Sequence, residues 1–184
     1  MSRFNLNKTV VMIGMMGAGK TAVGAAVARQ LDVPFIDSDH EIENAANTSI
    51  AEIFDKFGEA FFRRKESQVL TRLLDGPPCI LSTGGGAFLQ PENRAAIAAK
   101  GLSLWLKVDA DLLWARVRHK TTRPLLQVAD PRRKLIEMLQ AREPIYAEAA
   151  MTVTADPSYS VQDMAERVIE ALSTQPDVLQ KDEA

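Results

Sequence analysis

The chain has 184 residues, 46% hydrophobic and 25% charged, a balance that fits one folded domain and excludes a wholly disordered polypeptide. Its 22 Lys plus Arg against 24 Asp plus Glu leave a net charge of −2, which argues against a dedicated nucleic-acid binder while leaving room for a local basic pocket. One cysteine, Cys79, and two separated histidines, His40 and His119, exclude an intrachain disulfide framework and a Cys/His zinc site. No apolar run is long enough to span a bilayer, and the start, MSRFNLNKTVVMIG, lacks a secretory pattern. A cytosolic protein with no membrane or nucleic-acid partner is expected, and, with no exposed apolar stripe evident, a monomer.

In chain order, short β-branched apolar runs alternate with helical periods. Thr9–Ile13 reads as a buried strand, Lys20–Leu31 as a helix, and Pro34–Ile36 as a second strand. A short helix is expected from His40, with Asp39 able to cap it. Ser49–Phe57 is helical, with Ser49 and Glu52 in a capping-box pattern and Gly58 as the stop; a further helix runs from Glu59 to Leu74. Cys79–Ser82 is a third strand, Pro91–Ala99 a helix, Leu102–Val108 a fourth strand and Ala110–Val117 a helix after Asp109. Asp130-Pro131 opens a helix to about Ala147, Met151–Thr154 is a fifth strand, and Ser160 caps a last helix ending near Leu172.

Such alternation indicates an α/β layer with a mostly parallel sheet, whose ligands sit beyond the carboxyl ends of its strands. One domain is expected. The stretch over about 118–128 lacks periodicity and reads as a mobile lid. The polar tail, 173–184, is expected to fray.

The first strand runs into Gly14-Met15-Met16-Gly17-Ala18-Gly19-Lys20-Thr21, a full G-x-x-x-x-G-K-[ST] phosphate loop. Glycines let consecutive amides converge on phosphate oxygens, and the following helix aims its positive end at the same anion. Lys20 adds a full charge, and the Thr21 hydroxyl can ligate Mg²⁺. The second strand delivers Asp37-Ser38-Asp39. A strand-terminal Asp alone reads more readily as a helix cap. Beside a phosphate loop, two Asp at i and i+2 suit one carboxylate turned to metal and one to an acceptor. The third strand leads to Gly84-Gly85-Gly86. Six of the ten glycines thus lie in two loops, as expected where backbone must approach a ligand. Arg116, Arg118, Lys120 and Arg123 fall in a stretch with no acid from 112 to 129, so a polyanion such as ATP is the natural counterpart. Arg63, Arg64 and Arg142 add forked donors suited to a carboxylate.

The phosphate loop, Asp37-Ser38-Asp39, Gly58 through Phe62-Arg63, the triple glycine, and Arg123-Pro124-Leu125-Leu126 followed by Arg142 occur in an order and spacing that resemble the shikimate kinases. The resemblance covers about residues 8–172, the core of the single domain, and implies a substrate-binding helical region over about 39–66. It implies the fold of nucleoside monophosphate kinases: a three-layer α/β/α P-loop kinase with a five-stranded parallel sheet of order 2-3-1-4-5. It implies transfer of the ATP γ-phosphoryl group to the 3-hydroxyl of shikimate, with Mg²⁺, in chorismate and aromatic amino acid biosynthesis.

The resemblance also assigns roles. Gly14, Gly17, Ala18, Gly19, Lys20, Thr21 and Ala22 would contact ATP, with Thr21 and Asp37 at the magnesium. Asp39 would orient or deprotonate the acceptor hydroxyl, and Arg63 and Arg142 would clamp the carboxylate. Gly84, Gly85 and Gly86 would border the ring, with Phe54 and Phe62 as apolar walls. Arg123 would move with the lid toward the transferring phosphate, and Arg116 would lie by the adenine with Pro157 beyond it. Glu66 is placed to pair with a pocket arginine. Trp105, Trp114 and Cys79 read as packing residues. Two alternatives are a gluconate-type sugar kinase, which has less need of two carboxylate-directed arginines, and a nucleotide-dependent binding module without transfer activity.

Overall fold

The computed structural model describes residues 4–120 and 127–182. Strand β1 (Phe4–Leu6) precedes β2 (Thr9–Ile13), which is buried along its whole length, as its unbroken apolar run requires. Helix α1 (Lys20–Leu31) leads to β3 (Phe35–Asp37), α2 (Ser38–Ala46) and α3 (Ile50–Leu74). Strand β4 (Ile80–Ser82), a 3₁₀ turn at Ala87–Leu89, α4 (Pro91–Lys100), β5 (Gly101–Lys107) and α5 (Ala110–Val117) follow. The rest is α6 (Pro131–Tyr146), β6 (Met151–Thr154), α7 (Val161–Leu172) and β7 (Leu179–Lys181).

The main sheet is parallel throughout, in the order β3-β4-β2-β5-β6. Counting only these five strands, the order is 2-3-1-4-5, as expected. Helices α1 and α7 pack together, as do α3 and α4, and a continuous core of side chains from β2, β4, β5, α1 and α7 fills the space between sheet and helices. A second, smaller core of Ile42, Ile53, Phe62 and Val69 sits between α2 and α3.

Strand register positions the site. Met12 pairs with Ser82 and with Leu104, and Asp37 pairs with Ser82. Three strands therefore end level, and their continuations at Gly14, Ser38 and Thr83 emerge side by side. This is the edge at which parallel sheets bind ligands. Each following helix is stopped or started by a local device. Ser49 caps α3, Asp109 caps α5, Asp130 caps α6, and Ser160 with Asp163 forms a reciprocal capping box on α7. Gly58, at φ 81° and ψ 175°, breaks α3 into the two helical pieces read from the sequence.

Several expectations need correction. The α2 cap is Asp37, whose side chain accepts from the Asp39 amide, so Asp39 lies inside the helix and does not cap it. Within the described residues, which end at Asp182, the tail does not fray after Ser173. Strand β7 pairs antiparallel with β1, the Asn7 amide donates to the Val178 carbonyl, and Lys8 pairs with Asp177 at 2.8 Å. Val178 and Leu179 are 1% and 2% exposed. Two apolar residues in a polar run carry no local period, and their partner strand lies at the other end of the chain. The expected lid falls largely on residues 121–126, outside the described residues, as does Arg123.

Deleting residues 177–184 should cost roughly 3 kcal/mol, from two aliphatic side chains returned to water. A thermal midpoint lowered by about 6–12 °C is the expected readout; an unchanged midpoint would mean that the terminal ribbon contributes no stability.

Candidate active site

The phosphate loop joins β2 to α1. Gly17 and Gly19 lie at φ 78° and 92°, in the left-handed region, and a Cβ at Gly17 would stand 2.5 Å from the Val117 methyl. Larger residues would be strained at both positions. Lys20 opens α1 and is 8% exposed; its Nζ donates to the Gly14 and Met15 carbonyls at 2.7 and 2.9 Å, which folds the ammonium back over the loop. The first turn of α1 carries no acid and no side-chain cap, so its leading amides remain available to an anion. Arg116, from α5, donates to the Gly17 and Ala18 carbonyls at 3.2 Å each and braces the outer side of the loop.

The other half of the site is organised by the triple glycine after β4. A Cβ built at Gly84 would stand 3.0 Å from Asp39 Oδ1, and one at Gly85 3.2 Å from Arg142 Nη1. One at Gly86 would overlap the Arg63 guanidinium. Three successive residues without side chains therefore receive one carboxylate and two guanidinium groups, delivered by α2, α6 and α3. Arg63 is held by Glu66 at 2.8 Å, with Glu59 at 3.7 Å, and lies 5.2 Å from the centre of the Phe62 ring. Phe62 is buried; Phe54, 38% exposed, lies against it with ring centroids 4.7 Å apart.

The two halves meet in a cleft of about 620 Å³ lined by residues 16–23, Asp37, Asp39, residues 82–85, Arg116, Lys120, Ala155 and residues 159–161. Of the expected site residues, the cleft wall includes Gly17, Ala18, Gly19, Lys20, Thr21, Ala22, Asp37, Asp39, Gly84, Gly85 and Arg116. Outside that wall, Arg142 lies against Gly85 and Arg63 against Gly86, with Phe62 beside Arg63 and Phe54 against Phe62. Pro157 is exposed on the loop before α7, while its neighbours Ala155 and Tyr159 reach the wall.

Thr83 and Tyr146 were not anticipated. The Thr83 hydroxyl donates to the Met12 carbonyl at 2.9 Å and ties the glycine loop to β2. Tyr146 Oη donates to the Gly85 carbonyl at 2.6 Å. Its position four residues after Arg142, on the same face of α6, was the available signal.

Burial pushes the Asp39 carboxyl above its ordinary value, and Asp37 adds to the shift, while Lys20 and Arg63 oppose it. Burial likewise raises Glu66, which is 1% exposed, against the opposing pull of Arg63. Among the described residues no cluster of three or more His, Cys, Asp or Glu could cage a metal. Thr21 and Asp37 nevertheless share the cleft. A hydroxyl and a carboxylate suit a Mg²⁺ that takes its other ligands from phosphate and water.

A carboxyl whose pKa is raised by folding binds its proton more tightly when folded. Its contribution to stability is present below the unfolded pKa and is lost as pH rises through the folded one. Ionised Asp39 is therefore a cost at neutral pH. Asp39→Asn should raise the melting midpoint at pH 7 by on the order of 2 °C, and the gain should shrink as pH falls through the raised folded pKa and be gone below about 4. Equal midpoints across that range would remove Asp39 from the strained groups of the fold.

Residues 16–173 match the family model for shikimate kinase. The shikimate kinase of Cereibacter sphaeroides is 62% identical over 178 residues, covering 97% of this chain and 89% of that protein. That of Ruegeria pomeroyi is 61% identical, covering 95% and 90%. The structure of shikimate kinase from Acinetobacter baumannii in complex with shikimate superposes with a TM-score of 0.84 at 38% identity, covering 91% of this chain and 94% of that one. A gluconokinase from Sinorhizobium meliloti, at TM-score 0.61 and 16% identity, shares the fold alone. A parallel sheet with a phosphate loop at its centre, and relatives matched along nearly the whole chain, place this protein in the shikimate kinase family of ATP-dependent kinases.

Proposed function

We propose that this cleft transfers the γ-phosphoryl group of ATP to the 3-hydroxyl of shikimate, and that the triple glycine aligns acceptor with donor. One observation carries the reading: a Cβ position at Gly85 lies 3.2 Å from Arg142 Nη1 and 3.8 Å from both the Gly14 carbonyl and the Met16 amide of the phosphate loop. The same residue therefore borders a carboxylate-binding group and the triphosphate cradle.

On the donor side, residues Gly14 to Ala22 hold the phosphates. Lys20 supplies charge, and the α1 amides supply oriented dipoles that need no reorganisation as charge develops. Thr21 and Asp37 would hold Mg²⁺, which supplies charge neutralisation on the β- and γ-phosphate oxygens when bound. Arg116 and Pro157 would border the adenine, and Arg123 would add positive charge beside the transferring group.

On the acceptor side, Arg63 and Arg142 take the ring carboxylate between two forked donors. Phe54 and Phe62 cover one apolar face of the ring, and Gly84, Gly85 and Gly86 give it close backbone contact. Asp39 accepts from the attacking hydroxyl. Its raised pKa makes it a better proton acceptor than an ordinary aspartate. In a loose phosphoryl-transfer transition state the proton leaves late, so orientation is its larger contribution. The enzyme is proposed to act as a monomer. ATP, Mg²⁺ and a small polar acid suit the cytosol.

Purified protein incubated with Mg-ATP, with and without shikimate, should release ADP only when shikimate is present. ADP release driven by gluconate instead, or by neither acid, would overturn the reading. Lys20→Met should abolish turnover in a folded protein, because the phosphates lose their central cation; wild-type turnover in that variant would refute the donor assignment. Arg63→Lys should raise the shikimate KM by about ten- to a hundredfold, as expected for a lost charge-assisted contact. The ATP KM should stay put, and an unmoved shikimate KM would take Arg63 out of the pocket.

A further inference from the structure

The Gly85 carbonyl has two suitors, both on α6. Tyr146 Oη donates to it at 2.6 Å, whereas Arg142 Nη1, one turn earlier, is at 3.5 Å, the outer limit for a hydrogen bond. The phenol therefore satisfies this carbonyl and the guanidinium only grazes it. Tyr146 is fully buried, and its ring lies 5.9 Å from that of Trp105. Trp105 in turn passes beneath the phosphate loop, with Cδ1 3.5 Å from the Cβ position of Gly14. The hydroxyl is thus mounted on a rigid aromatic pair that underlies both halves of the cleft. Burial pushes the phenol above its ordinary pKa, while Arg142, beside the phenol oxygen, and Arg63 oppose the shift; the net rise keeps it a donor throughout the neutral range.

We infer that Tyr146 is a positioning residue for the acceptor pocket: by occupying the Gly85 carbonyl, its hydroxyl leaves the Arg142 guanidinium to face the acceptor carboxylate and fixes the plane of the Gly85–Gly86 peptide. The inference rests on the reading of this pocket as the shikimate site. In a trans peptide the carbonyl and the following amide point in opposite directions. Holding the Gly85 oxygen against α6 turns the Gly86 N–H away from that helix. No hydrogen bond joins this amide to another described residue. Without the phenol hydroxyl, the half-buried Gly85 carbonyl would need a new donor, because an unpaired buried acceptor is costly. Arg142 is the group within reach. Each guanidinium captured by the carbonyl is one withdrawn from the substrate.

Tyr146→Phe keeps the ring and its contact with Trp105 and removes only the hydroxyl. The shikimate KM should rise about tenfold, the scale of one lost buried hydrogen bond, while the ATP KM stays unchanged. A role confined to packing would reduce the folded fraction, and with it kcat, leaving both KM values in place. That outcome, or an equal rise in both KM values, overturns the inference. Should the variant fold too poorly to assay, the wild-type protein decides by NMR. Exchange of the Tyr146 hydroxyl proton with water should slow on adding shikimate and not on adding Mg-ATP. No slowing with shikimate also overturns it. Shikimate-dependent ADP release by the wild type is read separately: its absence defeats the proposed function, whereas its presence with an unaffected Tyr146→Phe defeats only the role of the hydroxyl.

Discussion

Three consecutive residues without side chains let a carboxylate and two guanidinium groups approach the same short stretch of backbone. Gly84, Gly85 and Gly86 receive Asp39, Arg142 and Arg63 in turn, at distances a Cβ would crowd or forbid. The charged groups come from three separate helices. Their helices are brought together by other packing, such as the Ile42, Ile53, Phe62 and Val69 core between α2 and α3, but the bare backbone lets their charged ends converge. Substituting alanine anywhere in this run would displace a recognition group without touching its identity.

The glycine run is itself placed by the sheet. Strand β4 pairs with β2 in a register that sets Ser82 beside Met12, and the Thr83 hydroxyl donates to the Met12 carbonyl. The phosphate loop begins two residues after Met12, and the glycine loop two residues after Ser82. Donor and acceptor machinery therefore share one rigid reference, the paired ends of two central strands. A kinase of this kind does little covalent chemistry of its own, so fixing the distance between two bound reactants accounts for much of what the protein contributes.

Much of this arrangement is legible in the order of residues. The phosphate loop and its following helix are a local pattern with a local cause, and so is the break at Gly58. The alternation of strands and helices predicts the parallel sheet, and the capping residues mark where most helices begin. What escapes the sequence depends on contacts between distant positions. The Asp37 cap could have been read from the dipeptide spacing, yet either aspartate fitted the role until the strand end was known to the residue. The β1–β7 ribbon pairs positions more than 170 apart in the chain, and neither strand has enough apolar residues to announce itself. Tyr146 looks like an ordinary core aromatic from its neighbours; only the structure puts its hydroxyl on Gly85.

The acceptor half pays in stability for its selectivity. Asp39 and Glu66 are both raised by burial, and the Asp39 charge raises Glu66 further. Arg63 sits between them electrostatically, lowering both, and binds Glu66 directly through one oxygen, while the other carboxylate oxygen of Glu66 has no partner among the described residues. Burying a charge pair this way is seldom a net gain in folding free energy. On the proposed reading the return is orientation: Arg63, pinned by a buried acid, would lose little entropy when an acid substrate arrives. The donor half uses a different economy, since backbone amides and helix ends bind phosphate without titrating. Sensitivity to pH should therefore enter this enzyme through acceptor recognition far more than through nucleotide binding.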